Sequence, residues 1–192
     1  MSNPQLILAS ASPRRRELLE QIGIRYQVQT ADIDESPLPA EEPFALVQRL
    51  AKEKAQSIWE ASDKSLPVLG ADTLGIVDGQ LLVKPDNFLS ARQMLLSMSG
   101  RAHTIYSAVA LYHQNACELA VSESKVWFRM MTEAEIEAYW KQGEPRDKAG
   151  AYAIQGMGAI FAERLEGSYS GVMGLPLFET AQLLAKAGIR IL

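Results

Sequence analysis

Lys54 carries charge where apolar residues belong. On a helical wheel at about 100° per residue it falls between Leu50 and Val47, in the arc that also holds Ile58, Ala51 and Phe44. An unpaired ammonium in an apolar layer is costly, so Lys54 either reaches water along its stem, closes an internal salt bridge, or meets a phosphate. Arg15 repeats the pattern, one helical turn before Leu18 and Leu19 on the side that continues to Ile22. In the first turn of its helix, Arg15 sets a cation against the positive end of the dipole and the unpaired N–H groups. A phosphate at that terminus resolves the conflict, with Ser10 and Ser12 as hydroxyl donors and Arg15 as a forked charge. A plainly capped helix is the other reading. Asp72 is the complementary anomaly: a carboxylate closing the apolar run Pro67-Val68-Leu69-Gly70-Ala71. It reads either as a turn residue or as a group at a strand's carboxyl end, where open α/β sheets handle ligands. Glu35, in the acidic loop Asp32-Ile33-Asp34-Glu35, fits either a solvated edge or a second carboxylate sharing a divalent metal with Asp72.

Other chemistries lack their residues. The sequence has no GxxxxGK[ST] loop and no GxGxxG after a strand, and Cys117, the only cysteine, admits neither a disulfide nor a CxxC metal clamp. His103 and His113 read as strand or turn residues, so a histidine base is not expected.

These side chains need a scaffold. Gln5 to Ala9 reads as a strand running into Ser12 as helix cap and Pro13 as first helical residue, with Gly23 as the stop. Tyr26 to Thr30 alternates as a strand, and a longer helix follows Pro43. Pro67 to Ala71 predicts a strand ending at Asp72, and Leu74 to Val83 a hairpin turning at Asp78-Gly79. Asn87 to Ser99 is helical in pattern. Ala102 to His113 and Ala116 to Met130 form a second hairpin around Gln114-Asn115, and Thr132 to Glu135 opens a helix with a capping box. The glycine-rich stretch from Gly143 to Gly174 reads as loops around a strand at Ala159 to Arg164, and Pro176 opens the last helix.

The 192 residues, 47% hydrophobic and 22% charged, predict one globular domain over 1–192, of α/β class, with a mixed sheet flanked by helices around a central cleft. A net charge of −4 argues against a nucleic-acid partner. No secretory leader or membrane-length apolar run is read, so the expected location is the cytoplasm, without a membrane partner.

Ser10, Ser12, Pro13, Arg14 and Arg15, then Gly70-Ala71-Asp72-Thr73, then Lys84-Pro85, resemble motifs of the Maf family of nucleotide pyrophosphatases. So do Asp147-Lys148-Ala149-Gly150-Ala151-Tyr152, Ile154-Gln155-Gly156 and Gly174-Leu175-Pro176, in an order that covers nearly the whole chain. The resemblance implies a Maf / ITPase-like architecture and a nucleoside triphosphate substrate cleaved to monophosphate and pyrophosphate. It makes Asp72 the catalytic base and a metal ligand with Glu35, for Mg²⁺ or Mn²⁺. It places Ser10, Ser12, Arg15, Lys54 and Lys84 around the phosphates. Arg14, Thr73 and Gln155 look like the dTTP and UTP branch rather than the 7-methyl-GTP branch, and the Gln155 amide suits the imide edge of thymine or uracil. Modified pyrimidine nucleotides belong to the same substrate class. A homodimer is expected on the resemblance alone. The alternatives are a non-catalytic nucleotide-binding regulator of septum formation and a phosphomonoesterase of small metabolites.

Overall fold

Leu6, Ile7 and Leu8 are 0%, 4% and 0% exposed, as expected of a strand covered on both faces. This strand, β1 (Leu6–Leu8), pairs in parallel with β2 (Tyr26–Val28) on one side and with β3 (Val68–Val77) on the other. The structure is a computed structural model describing residues 3–192.

β3 departs from the sequence expectation. It does not stop before Asp72 but continues to Val77, so Asp72 lies within the strand rather than at its carboxyl end. The reason lies in the residues that follow: Gly75 and Val77 are buried, and the backbone carries the ladder onward while the Asp72 carboxylate projects to one face. Asp78 and Gly79, at φ 50° and 75°, then form the tight turn into β4 (Gln80–Leu82), which pairs antiparallel with β3. β5 (Ala102–His113) and β6 (Ala116–Phe128) are joined through Gln114 and Asn115, both with positive φ. β7 (Ala162–Glu166) adds antiparallel to β6. It begins later than expected because Met157–Phe161 wind into a 3₁₀ turn. Among the described residues the sheet has seven strands, in the order β2-β1-β3-β5-β6-β7 with β4 beside β3. Its parallel and antiparallel pairs make it the expected mixed sheet of an α/β protein.

Proline starts two helices, α1 (Pro13–Gln21) and α2 (Pro43–Ala61), because its fixed φ suits the first turn and its missing N–H is not needed there. Ser12 occupies the N-cap position of α1, but its side chain makes no cap hydrogen bond. Asn87 with Ser90, and Thr132 with Glu135, close capping boxes on α3 (Phe88–Met98) and α4 (Glu133–Lys141). Short α5 (Tyr169–Met173) precedes α6 (Leu177–Lys186).

Residue contacts divide the chain into two compact units. The first comprises residues up to Thr73, Ser107–Ser122 and Gly174–Leu192; Leu6, Leu8, Leu19, Leu46, Leu50 and Leu69 are among its buried side chains. The second comprises Leu74–Tyr106 and Glu123–Met173, centred on Leu95, Met98, Phe128, Ile136, Tyr139 and Phe161. Each such side chain contributes about 1.5–3 kcal/mol by leaving water. Among the described residues, no helix is long and apolar enough to cross a membrane.

Candidate active site

The helical spacing of α2 buries Leu46, Val47, Leu50, Ala51, Lys54, Ala55 and Ile58 on one side. Phe44, assigned to the same arc from the sequence, is 46% exposed instead, because it lies in the first turn, before the helix is covered. Gly70 on β3 permits a close approach: a Cβ there would lie 2.4 Å from the Ala51 carbonyl oxygen and 2.6 Å from the Ala55 nitrogen. With helix and strand that close, Lys54 reaches Asp72.

The Lys54 Nζ donates to Asp72 Oδ1 at 2.8 Å and lies 3.0 Å from Glu35 Oε1. The lysine and aspartate side chains are 10% and 8% exposed, whereas Glu35 is 59% exposed, so the triad is open to water only on the glutamate side. Of the readings open to Lys54, the structure has the internal salt bridge. Burial pushes the Asp72 pKa up; Lys54 opposes this by its charge and hydrogen bond, then Arg15 by its charge, and Glu35 adds to the rise. Buried ion pairs of this kind offset much of their attraction by desolvation, so they are weak stabilisers and better indicators of a site.

Arg15 sits in the first turn of α1. Its Nη1 donates to Ser10 Oγ at 3.0 Å and its Nε to the Gly174 carbonyl at 2.9 Å. Gly174 holds that carbonyl at φ 126°, a conformation side-chain-bearing residues rarely adopt. Burial lowers the guanidinium pKa, Asp72 opposes this, and Arg14 reinforces it. It remains a cation at neutral pH. The Ser12 backbone N–H also donates to Ser10 Oγ, at 3.2 Å, so the first loop turns around the Ser10 hydroxyl.

Thr73 follows Asp72, and its hydroxyl lies 2.9 Å from that of Ser107, a residue 1% exposed. Sequence reading did not single out Ser107. Its strand pattern gives its face but not which strand lies beside it. Arg14 is half-buried on α1. Lys84 and Gln155 belong to the second unit, where both are exposed. His103 is a buried strand residue whose Nε2 lies 2.7 Å from the Tyr152 hydroxyl.

Among the described residues, no group of three or more His, Cys, Asp and Glu is arranged for a metal. The pair Asp72 and Glu35 still fits a hard divalent cation on a phosphate substrate, which needs one or two carboxylates and takes its other oxygens from phosphate and water. The Lys54 ammonium, bonded to both carboxylates, is itself a cation seated between them. Together these groups can hold a polyanion, a cation and a water.

A model of the Maf-like protein family matches residues 5–187. The chain is 50% identical to the dTTP/UTP pyrophosphatase of Pseudoalteromonas atlantica, covering 96% of this chain and 97% of that one. It is 48% identical to the dTTP/UTP pyrophosphatase of Hahella chejuensis (97% and 94%) and 50% to that of Methylobacillus flagellatus (97% and 94%). Among solved structures, a nucleoside-triphosphatase / dITP/XTP pyrophosphatase from Mycobacterium abscessus is similar at TM-score 0.41 and 16% identity, over 64% of this chain and 72% of that one, too distant to bear on the site.

Proposed function

The chain belongs to the Maf-like family, and from that premise we propose that it hydrolyses dTTP and UTP to the nucleoside monophosphate and pyrophosphate. Relatives named dTTP/UTP pyrophosphatase align over nearly its full length. The observation that carries the reading to particular residues is the Lys54 ammonium held by Asp72 and Glu35 in the unit that also holds Arg15.

In the proposed reaction a water oxygen forms a bond to the α-phosphorus, and the bond from that phosphorus to the oxygen bridging to the β-phosphorus breaks. The electron pair leaves with pyrophosphate. Asp72 orients the water and accepts its proton, a role favoured by the upward push of burial on its pKa. Asp72 and Glu35 are the proposed ligands of Mg²⁺ or Mn²⁺, which when bound supplies a Lewis acid for the phosphate oxygens. Arg15, Lys54 and Lys84 offset the triphosphate charge, and Ser10 and Ser12 offer hydroxyl donors. Lys54 then exchanges a carboxylate partner for a phosphate one.

Arg14, Thr73 and Gln155 are proposed to sort the base, with modified pyrimidine nucleotides included among the candidates. Because the family model spans residues 5–187, and hence both units, we treat 1–192 as one functional domain. A cytoplasmic location and a homodimeric assembly are part of the proposal.

The test is a panel of dTTP, UTP, CTP and GTP with product analysis. Pyrophosphate plus monophosphate, fastest from dTTP and UTP, supports the proposal. Orthophosphate release indicates a phosphomonoesterase, and saturable binding without product indicates a regulator; either result overturns it.

A further inference from the structure

The turn that displays Gln155 is clamped from beneath by two side chains of the second unit, Glu144 and Tyr139. Glu144 Oε2 accepts from the Met157 N–H at 2.9 Å and its Oε1 from the Gly158 N–H at 3.0 Å. The Tyr139 hydroxyl donates to Glu144 Oε1 and accepts from the Ala153 N–H at 3.3 Å. Backbone N–H groups on both sides of Gln155 are therefore tied to one Tyr–Glu pair, and the Gly156 N–H closes onto the Ala153 carbonyl at 3.2 Å.

The pair is anchored firmly. Tyr139 is 2% exposed and lies edge-on to Phe161, with ring centroids 5.3 Å apart. Burial acts upward on the Glu144 pKa, but hydrogen bonds from Tyr139, Gly158 and Met157 and the charge of Lys148 outweigh it and hold the group below its ordinary value. It is a carboxylate at neutral pH, the form that accepts strongly from N–H donors. Gly156 is part of the same device: a Cβ there would lie 2.1 Å from Glu144 Oε2, so any other residue would push the carboxylate off the turn. Gln155 itself stays exposed.

We infer that Glu144 and Tyr139 are positioning residues for base selection: they set the backbone of the Ala153–Gly158 turn and thereby the direction in which the Gln155 amide is presented. The inference rests on the proposed role of Gln155. An amide discriminates between bases by directed hydrogen bonds, so a shift of about 1 Å in its backbone costs specificity before it costs phosphate chemistry.

The experiment uses the full chain and compares Glu144→Gln, Tyr139→Phe, Gly156→Ala and Gln155→Ala. It measures kcat and KM for dTTP, UTP, CTP and GTP, with inorganic tripolyphosphate as a competing ligand lacking a base, and thermal unfolding as a check of folding. Gly156 has φ −115°, so alanine there introduces no backbone strain and disturbs the clamp by displacing the Glu144 carboxylate while Glu144 and Tyr139 themselves stay unsubstituted. The expected result is a fall of about tenfold in the preference for dTTP and UTP, in the same direction for the clamp variants as for Gln155→Ala. Inhibition by tripolyphosphate should be unchanged, and Glu144→Gln combined with Gln155→Ala no worse than Gln155→Ala alone. If Gln155→Ala alters the ranking of bases while folded clamp variants do not, the inference is overturned and the role of Gln155 stands. If neither alters it, both fall. A uniform loss on all four nucleotides, with weaker inhibition by tripolyphosphate, assigns the clamp a purely structural role and also overturns the inference.

Discussion

Gly70 on β3 and Ala51 on α2 meet backbone to backbone: a methyl group on Gly70 would lie 2.4 Å from the Ala51 carbonyl oxygen. This approach sets the helix at the height where Lys54, three residues further along α2, reaches Asp72, two residues further along β3. Replacing Gly70 with alanine must force α2 away from the sheet, since the obstructing atoms are backbone and cannot rotate aside. Gly70→Ala is expected to lose about 1–3 kcal/mol of stability and to weaken catalysis even where it folds. Urea unfolding and kcat measured together check this; wild-type values for both would contradict the account.

Asp72→Asn keeps the size of the side chain and removes the proposed proton acceptor. A loss of about 10²–10⁴ in kcat is expected, with an unfolding midpoint below that of the parent, because the buried Lys54 ammonium keeps only Glu35 as a carboxylate partner. Near-parental turnover in a folded Asp72→Asn protein would remove the aspartate from the proposed role of base.

Lys54→Met leaves Asp72 without its ammonium partner at 2.8 Å and with Glu35 still nearby. Breaking a buried pair from one side is expected to cost about 3–5 kcal/mol. Added Mg²⁺ or Mn²⁺ should recover part of this, because a ligand that binds only the folded state stabilises it. The KM for dTTP should rise while the base ranking stays as it was. Thermal unfolding with and without Mn²⁺ gives a readout independent of turnover, and a variant equally stable in both conditions counts against two carboxylates able to hold a cation.

Acid stability should follow His103. Burial lowers its pKa from 6.5 to about 4. The unfolded chain therefore binds the proton more readily than the folded one. Its contribution is fully present above pH 6.5 and is lost as pH falls from there towards about 4, a change of about 3 kcal/mol for a group 2% exposed. A lower window comes from Glu41 and Glu135, held at about 2 by hydrogen bonds that begin with Arg49 and Arg129 respectively. Their stabilisation is complete above the ordinary value of 4.5 and lost as pH falls towards about 2. Chemical unfolding as a function of pH should show a decline from pH 6.5 to 4 in the parent, and a flatter profile there in His103→Asn.

The elements of the fold and the anomalous charges were legible in the chain because both are local. Hydrophobic period, Pro13 and Pro43 at helix starts, and the Asp78-Gly79 turn each act through a few neighbouring residues, and an ammonium at position 54 is out of place on any wheel drawn from that stretch alone. The choice among its readings was not local. Lys54 meets Asp72 because residues 18 apart in sequence are drawn together through Gly70, and Arg15 finds the Gly174 carbonyl across 159 positions. The continuation of β3 past Asp72, the Ser107 partner of Thr73, and the clamp of Glu144 and Tyr139 under Gln155 likewise depend on which strands and turns become neighbours. Sequence determined which groups carried charge into apolar surroundings; only the tertiary structure decided which of them share a site, because desolvation and hydrogen bonding act over a few ångströms of space and take no account of distance along the chain.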